Sequence, residues 1–172
     1  MKEWIPIPGS SKEILIKVAL EEFSIKGYRE VNITVLANKA NMTTGAVYHH
    51  FGSKAKLYEV IRNEMEQRII DRMEGATSLF EKSNEAMEAA LITGLDFAVK
   101  FNICRLISEE VPYSKKDKIE EYLSKITANK NLPLEIVLIS SWRSILKGIS
   151  DNQITFEQGK NLIKWIFKRE FI

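Results

Sequence analysis

The sequence predicts an all-α protein of about nine helices, with three N-terminal helices forming a helix-turn-helix and the rest a C-terminal helical bundle. Three observations carry that expectation. Apolar residues recur at intervals of three and four along most of the 172 residues, the period of amphipathic helices. Helix-breaking residues are few, with 8 Gly and 4 Pro. Capping residues stand where the apolar stripes begin, at Ser10 to Glu13 and again at Thr155 to Gln158.

The first helix opens at Ser10, where Ser10 and Glu13 can cap each other's amides. Ile14, Leu15, Val18, Ala19 and Phe23 form its stripe, and Gly27 ends it, since Gly tolerates the left-handed conformation that follows a last turn. Asn32 caps a second helix over about 33–40. Asn41 takes the positive φ of a tight turn. Thr43 caps a third helix over about 44–50, with Val47 and Phe51 turned inward. Gly52-Ser53 breaks the chain, and Ser53 opens a long helix to about residue 73. Further helices are predicted over about 84–101 and 102–110, the latter stopping at Val111-Pro112. The next runs from Ser114-Lys115-Lys116-Asp117 to about Ala128. Pro133 opens another, to about Gly148, and Thr155 opens the last, ending near Arg169. Residues 1–53 are expected to form the helix-turn-helix domain and 54–172 the second domain.

Composition narrows the function. Hydrophobic content of 45% with 28% charge suits a soluble globular protein. There is no run of about 18 uncharged apolar residues, so no membrane partner is expected. Met1 to Pro6 lacks the apolar stretch of a signal peptide, which makes a cytoplasmic location the expectation. Net charge is only +2, yet residues 1–58 hold eight Lys/Arg against five Asp/Glu. Positive charge therefore sits at the end with the helix-turn-helix, as phosphate contact requires. The motifs of nucleophilic, phosphate-loop and zinc chemistry are missing, so neither an enzyme nor a cofactor is expected. One cysteine, Cys104, makes neither a disulfide nor a zinc site. It reads as an inert buried side chain, or alternatively as an effector-reactive thiol.

Gly27-Tyr28, Leu36-Ala37 with Ala40, and the run Thr44-Gly45-Ala46-Val47-Tyr48-His49-His50-Phe51, continued by Ser53-Lys54 and Leu57, carry a resemblance. About 45 residues here resemble the tetracycline-repressor (TetR) family of transcriptional regulators. Three positions depart from the family pattern: Asn41 replaces a Gly, Val35 an acidic cap partner and Lys56 an acid.

On its own chemistry, Thr44 can hydrogen-bond a base edge or phosphate, and Ala46 can touch a thymine methyl. Gly45 lets a phosphate approach the backbone. Thr43 serves as cap or reader, and Thr34 as backbone anchor or groove-edge contact. Lys54, at a helix N-terminus, is placed for phosphate. Tyr48 and His49 resemble the family's phosphate-contacting pair, although Tyr48 could instead be half-buried core. His49-His50 is no metal site, for lack of a partner one turn away. Lys39 reads as a solvated charge.

The resemblance also implies a palindromic double-stranded DNA operator, a homodimer, and a small-molecule effector that releases the repressor. An alternative is control by a protein partner with no such effector. The family's dimer face maps onto Leu134, Val137, Leu138, Ser141, Trp142, Ile145, Phe156, Gly159, Leu162, Ile163 and Ile166; intramolecular core is the alternative for these residues. An effector pocket could be lined by Phe97, Phe101, Cys104, Ile107 and Trp142.

Overall fold

The computed structural model describes residues 9–80, 83–109, 118–127 and 132–168. Among them are nine helices and no strand: α1 (Ser11–Glu30), α2 (Ile33–Lys39), α3 (Thr44–Phe51), α4 (Lys54–Thr77), α5 (Ser83–Lys100), α6 (Cys104–Ser108), α7 (Lys118–Ile126), α8 (Leu134–Ser150) and α9 (Phe156–Phe167). The predicted boundaries at Val111-Pro112, Ser114–Asp117, Ala128 and Arg169 lie outside the described residues. The chain divides into two compact units, Met1–Arg62 and Asn63–Ile172.

In the first unit each helix start is made by the residue next to it. The Ser10 hydroxyl accepts the Glu13 amide at 3.3 Å. The return bond differs from the expected box, because the Glu13 carboxylate accepts the amide of Gly9, at 2.6 Å, in place of that of Ser10. Asn32 Oδ1 accepts the amides of Thr34 and Val35 at 2.8 and 3.3 Å. Thr43 Oγ1 accepts that of Ala46 at 3.2 Å, and Ser53 Oγ that of Lys56 at 3.1 Å. Asn41 has the expected positive φ, 53°, so α2 and α3 follow each other through a tight turn.

α1 buries Leu15, Ala19 and Phe23 completely, packs on α2, and α2 packs on α3. Gly27 breaks α1 as expected, but one further turn, to Glu30, follows the break. Its φ of 77° and ψ of 172° lie in a region essentially reserved for glycine. The chain is thereby redirected, and Tyr28 joins Phe23 and Tyr58 in an aromatic cluster with ring centroids 5.0 to 6.5 Å apart.

In the second unit α9 packs against α5 and α8, and α8 also against α6 and α7. Trp142 of α8 is fully buried, and its indole N–H donates to the Leu91 carbonyl of α5 at 3.0 Å. Asn102 and Asn152, with φ of 54° and 57°, turn the chain after α5 and after α8. Asp151 ends α8, pairing with Lys147 and with Arg105 of α6. The box at α9 forms in full: Thr155 and Gln158 exchange amide-to-side-chain bonds of 2.8 and 3.2 Å.

The Gly27→Ala variant is expected to lose about 1–3 kcal/mol, because alanine cannot adopt this φ and ψ without strain. Urea unfolding followed by circular dichroism measures it.

Candidate nucleic-acid interface

Helical spacing sorts the eight residues of α3 by face. Val47 and Phe51 are buried, while Gly45, Tyr48, His49 and His50 are exposed and Thr44 and Ala46 half-buried. Tyr48, 46% exposed, stands on the outer face and not in the core. Thr43 and Thr34 are exposed too, at the starts of α3 and α2. Thr43 is the cap, its oxygen taken by Ala46. Among the described residues, a Cβ built at Gly45 meets only Thr43 Oγ1, at an ordinary 3.9 Å. Lys54 is half-buried at the start of α4, donating to the Arg29 carbonyl at 3.3 Å.

The positive charge of this unit is not uniformly available. Glu22 of α1 is 3% exposed and pairs with Lys26 at 2.8 Å and Lys39 at 2.5 Å. Lys39 is exposed, as expected of a solvated charge, but it also ties the last turn of α2 to α1. Hydrogen bonds from Lys26 and then from Lys39 hold the Glu22 carboxyl below its ordinary range, against the opposing effect of burial. Lys17 pairs with Glu13 at 3.0 Å. Lys12, which the sequence did not single out, places its ammonium 5.8 Å from the centre of the Phe51 ring at the end of α3. That proximity is tertiary and has no local signal.

The residues expected around an effector pocket part company. Phe97, Cys104, Ile107 and Trp142 are buried in the second unit, whereas Phe101 is 48% exposed. Phe101 is corrected to a surface position against Phe97, ring centroids 4.4 Å apart, with Lys100 at 6.0 Å. Burial pushes the Cys104 thiol up to about 11, so it carries almost no thiolate near neutrality. That is the inert reading, since the thiolate is the reactive form.

The expected dimer face also divides. Leu138, Trp142, Ile145, Gly159 and Ile163 are taken up by the chain's own core. A Cβ on Gly159 would come within 3.0 Å of Ile145 and Ile149, so this glycine serves the packing of α9 on α8. These five are corrected to intramolecular packing. Leu134, Ser141, Phe156 and Ile166 are half-buried, and Val137 and Leu162 exposed. Leu132, Ile136 and Trp165, absent from the sequence expectation, are also exposed.

Among the described residues no three His, Cys, Asp or Glu gather as a metal site, and no helix is long and apolar enough to cross a membrane.

Residues 15–61, from the middle of α1 into α4, match the family of bacterial regulatory proteins, tetR family. Over that stretch the chain is similar to TetR-family regulators. It is 32% identical over 92 residues to the HTH-type transcriptional repressor KstR2 of Mycolicibacterium smegmatis, a match spanning 47% of this chain and 45% of that protein. The transcriptional regulator FadR of Bacillus subtilis, solved in complex with stearoyl-CoA, superposes with a TM-score of 0.69 at 12% identity, over 93% of this chain and 99% of that one. A TetR-like transcriptional regulator from Rhodococcus sp. RHA1 gives 0.67 at 14%, over 94% and 96%. At such identities the two structures speak for the fold alone.

The Glu22 cluster sets a pH dependence. A carboxyl whose folded pKa lies below its unfolded value of about 4.5 adds stability above pH 4.5 that is lost as pH falls through the folded value. Thermal melting from pH 7 to pH 3 is expected to show this loss in the wild type and a flatter profile in Glu22→Gln. Lys39→Ala is expected to lower the melting midpoint while leaving the salt dependence of DNA binding unchanged.

Proposed function

We propose that this protein is a homodimeric, TetR-type transcriptional repressor that reads a palindromic operator with α3 and releases it on binding an effector in the second unit. The observation that carries the reading is the outer face of α3. The caps and the two buried side chains hold the helix, and Thr44, Gly45, Ala46, Tyr48 and His49 face outward. Thr44 and Ala46 suit base edges. Tyr48, His49 and Lys54, with Thr34 and Thr43 at helix starts, suit phosphates, which carry affinity but little sequence information. Gly45 supports the same reading. Glycine costs a helix about 1 kcal/mol relative to alanine, and none of the described residues excludes a side chain there, which favours a partner outside the chain as the reason for its bareness.

Two such helices on a two-fold axis would read half-sites about one turn, ~34 Å, apart. The exposed Leu132, Ile136, Val137, Leu162 and Trp165 supply an apolar surface for the second copy. Repression is supported by the name of the KstR2 relative. The stearoyl-CoA held by FadR makes acyl thioesters the first effectors to try. α4 starts in the first unit and ends in the second, a covalent route for coupling that would ordinarily amount to about 1–3 kcal/mol. Control by a protein partner without an effector is favoured by one observation: a Cβ on Gly94 would lie 2.3 Å from Met73 and 3.0 Å from Trp142, which shows how closely the second unit is filled there.

Selection of sites from random duplex DNA is expected to return a palindrome; failure to enrich any sequence would sink the proposal. Gly45→Ala is expected to stabilise the protein by about 0.4–1 kcal/mol yet bind the selected operator at least tenfold more weakly. Thr44→Ala is expected to relax base preference by about 1–3 kcal/mol at one position, while Tyr48→Ala weakens all duplexes alike. Sedimentation of Val137→Glu and Trp165→Glu is expected to give monomers; retained dimers would place the self-contact elsewhere.

A further inference from the structure

We propose that Tyr28 is a positioning residue for the Lys54 ammonium, holding it ready for a DNA phosphate before any DNA arrives. The inference rests on the phosphate role of Lys54 in the proposed function. It starts from an electrostatic oddity. Lys54 and Lys56 both stand in the first turn of α4, which contains no acid, and cations are unfavourable at the positive end of a helix dipole. The structure compensates at two points. Lys54 Nζ lies 4.7 Å from the centre of the Tyr28 ring and donates to the Arg29 carbonyl at 3.3 Å. That carbonyl belongs to the last turn of α1, where helices leave acceptors without an intrahelical partner.

The ring that receives the ammonium is itself fixed. Gly27, at φ 77°, turns the chain so that Tyr28 meets Tyr58 edge-on, centroids 5.0 Å apart. Tyr58 is buried and meets Phe23 edge-on, also at 5.0 Å. A lysine side chain otherwise ranges widely, and ordering it in advance removes part of the entropic cost of binding. An ammonium carries three donors, enough to serve a carbonyl and a phosphate oxygen together. Contact with a ring face leaves the charge of the ammonium intact. The contact should also strengthen when DNA displaces water from it, because cation–π attraction grows on desolvation.

The test is a double-mutant cycle on the full-length protein, with binding to a mixed-sequence duplex measured by fluorescence anisotropy at several salt concentrations. Tyr28→Leu is expected to weaken binding about threefold to tenfold and to lower the salt slope toward that of Lys54→Ala, which itself loses about 1 per protomer. Tyr28→Phe keeps the ring face and is expected to bind like the wild type. In the Lys54→Ala background, Tyr28→Leu is expected to cost little more. Circular dichroism checks folding, and Tyr28→Met replaces Leu if Leu lowers the melting midpoint. Equal losses from Tyr28→Leu in both backgrounds, or a Tyr28→Phe variant as weak as Leu, would overturn the positioning role while leaving DNA binding intact. A Lys54→Ala variant with unchanged affinity and slope would remove the phosphate role of Lys54, and this inference with it.

Discussion

An eight-residue helix does not hold itself together in water, because nucleation is costly and isolated helices below about 12–15 residues are marginal. α3 has eight residues and α2 seven. Everything the first unit presents to solvent depends on meeting that constraint with neighbouring side chains. Thr43 closes the front of α3, and Gly52 closes the back, its amide bonded to the Tyr48 carbonyl at 2.7 Å. Val47 and Phe51 anchor the inner face. α2 is tied at its far end by Lys39 to the buried Glu22 of α1. α1 can act as the base because the stretch from Ser11 to its break at Gly27 reaches the length at which a helix begins to support itself.

The second unit solves a different problem. Its main helices α5 and α8 are long, 18 and 17 residues, and the difficulty is to fill the space between them. Trp142 occupies the centre, and its one polar atom is satisfied by the Leu91 carbonyl, which removes the penalty of burying an N–H. Gly94 and Gly159 let helices close on that centre, and Asp151 fastens α6 to the turn after α8. The apolar residues left outside, from Leu132 to Trp165, are those the chain has no internal use for.

Features set by sequence neighbours were legible before the structure. The caps at Asn32, Thr43 and Ser53, the break at Gly27 and the turn at Asn41 each rest on residues within four positions of one another. The outer face of α3 followed from helical spacing once Val47 and Phe51 were placed inside. What escaped was set by contacts distant in sequence. Glu22 and Lys39 are 17 residues apart, and the Lys12 to Phe51 and Tyr28 to Lys54 contacts bridge separate helices. Periodicity also shows which face of α8 or α9 is apolar without showing what covers it. Periodicity alone therefore leaves Trp142, Ile145 and Gly159 open between a partner and the chain's own core, which claims them. Phe101 is the reverse case: it follows the stripe of α5 but falls in the turn just after the helix, where the stripe no longer points inward.

Within α3 the residues that hold the helix and those that face outward are disjoint sets. Val47, Phe51 and the Thr43 cap do the holding; Thr44 and Ala46 are half-buried and His49 exposed, and none of the three supplies those anchors. Such a division makes the outer face free to drift. A lineage could exchange those three side chains one after another, and each intermediate would still fold. New sequence preferences would then arise on an unchanged scaffold, with Gly45 the fixed point around which they vary.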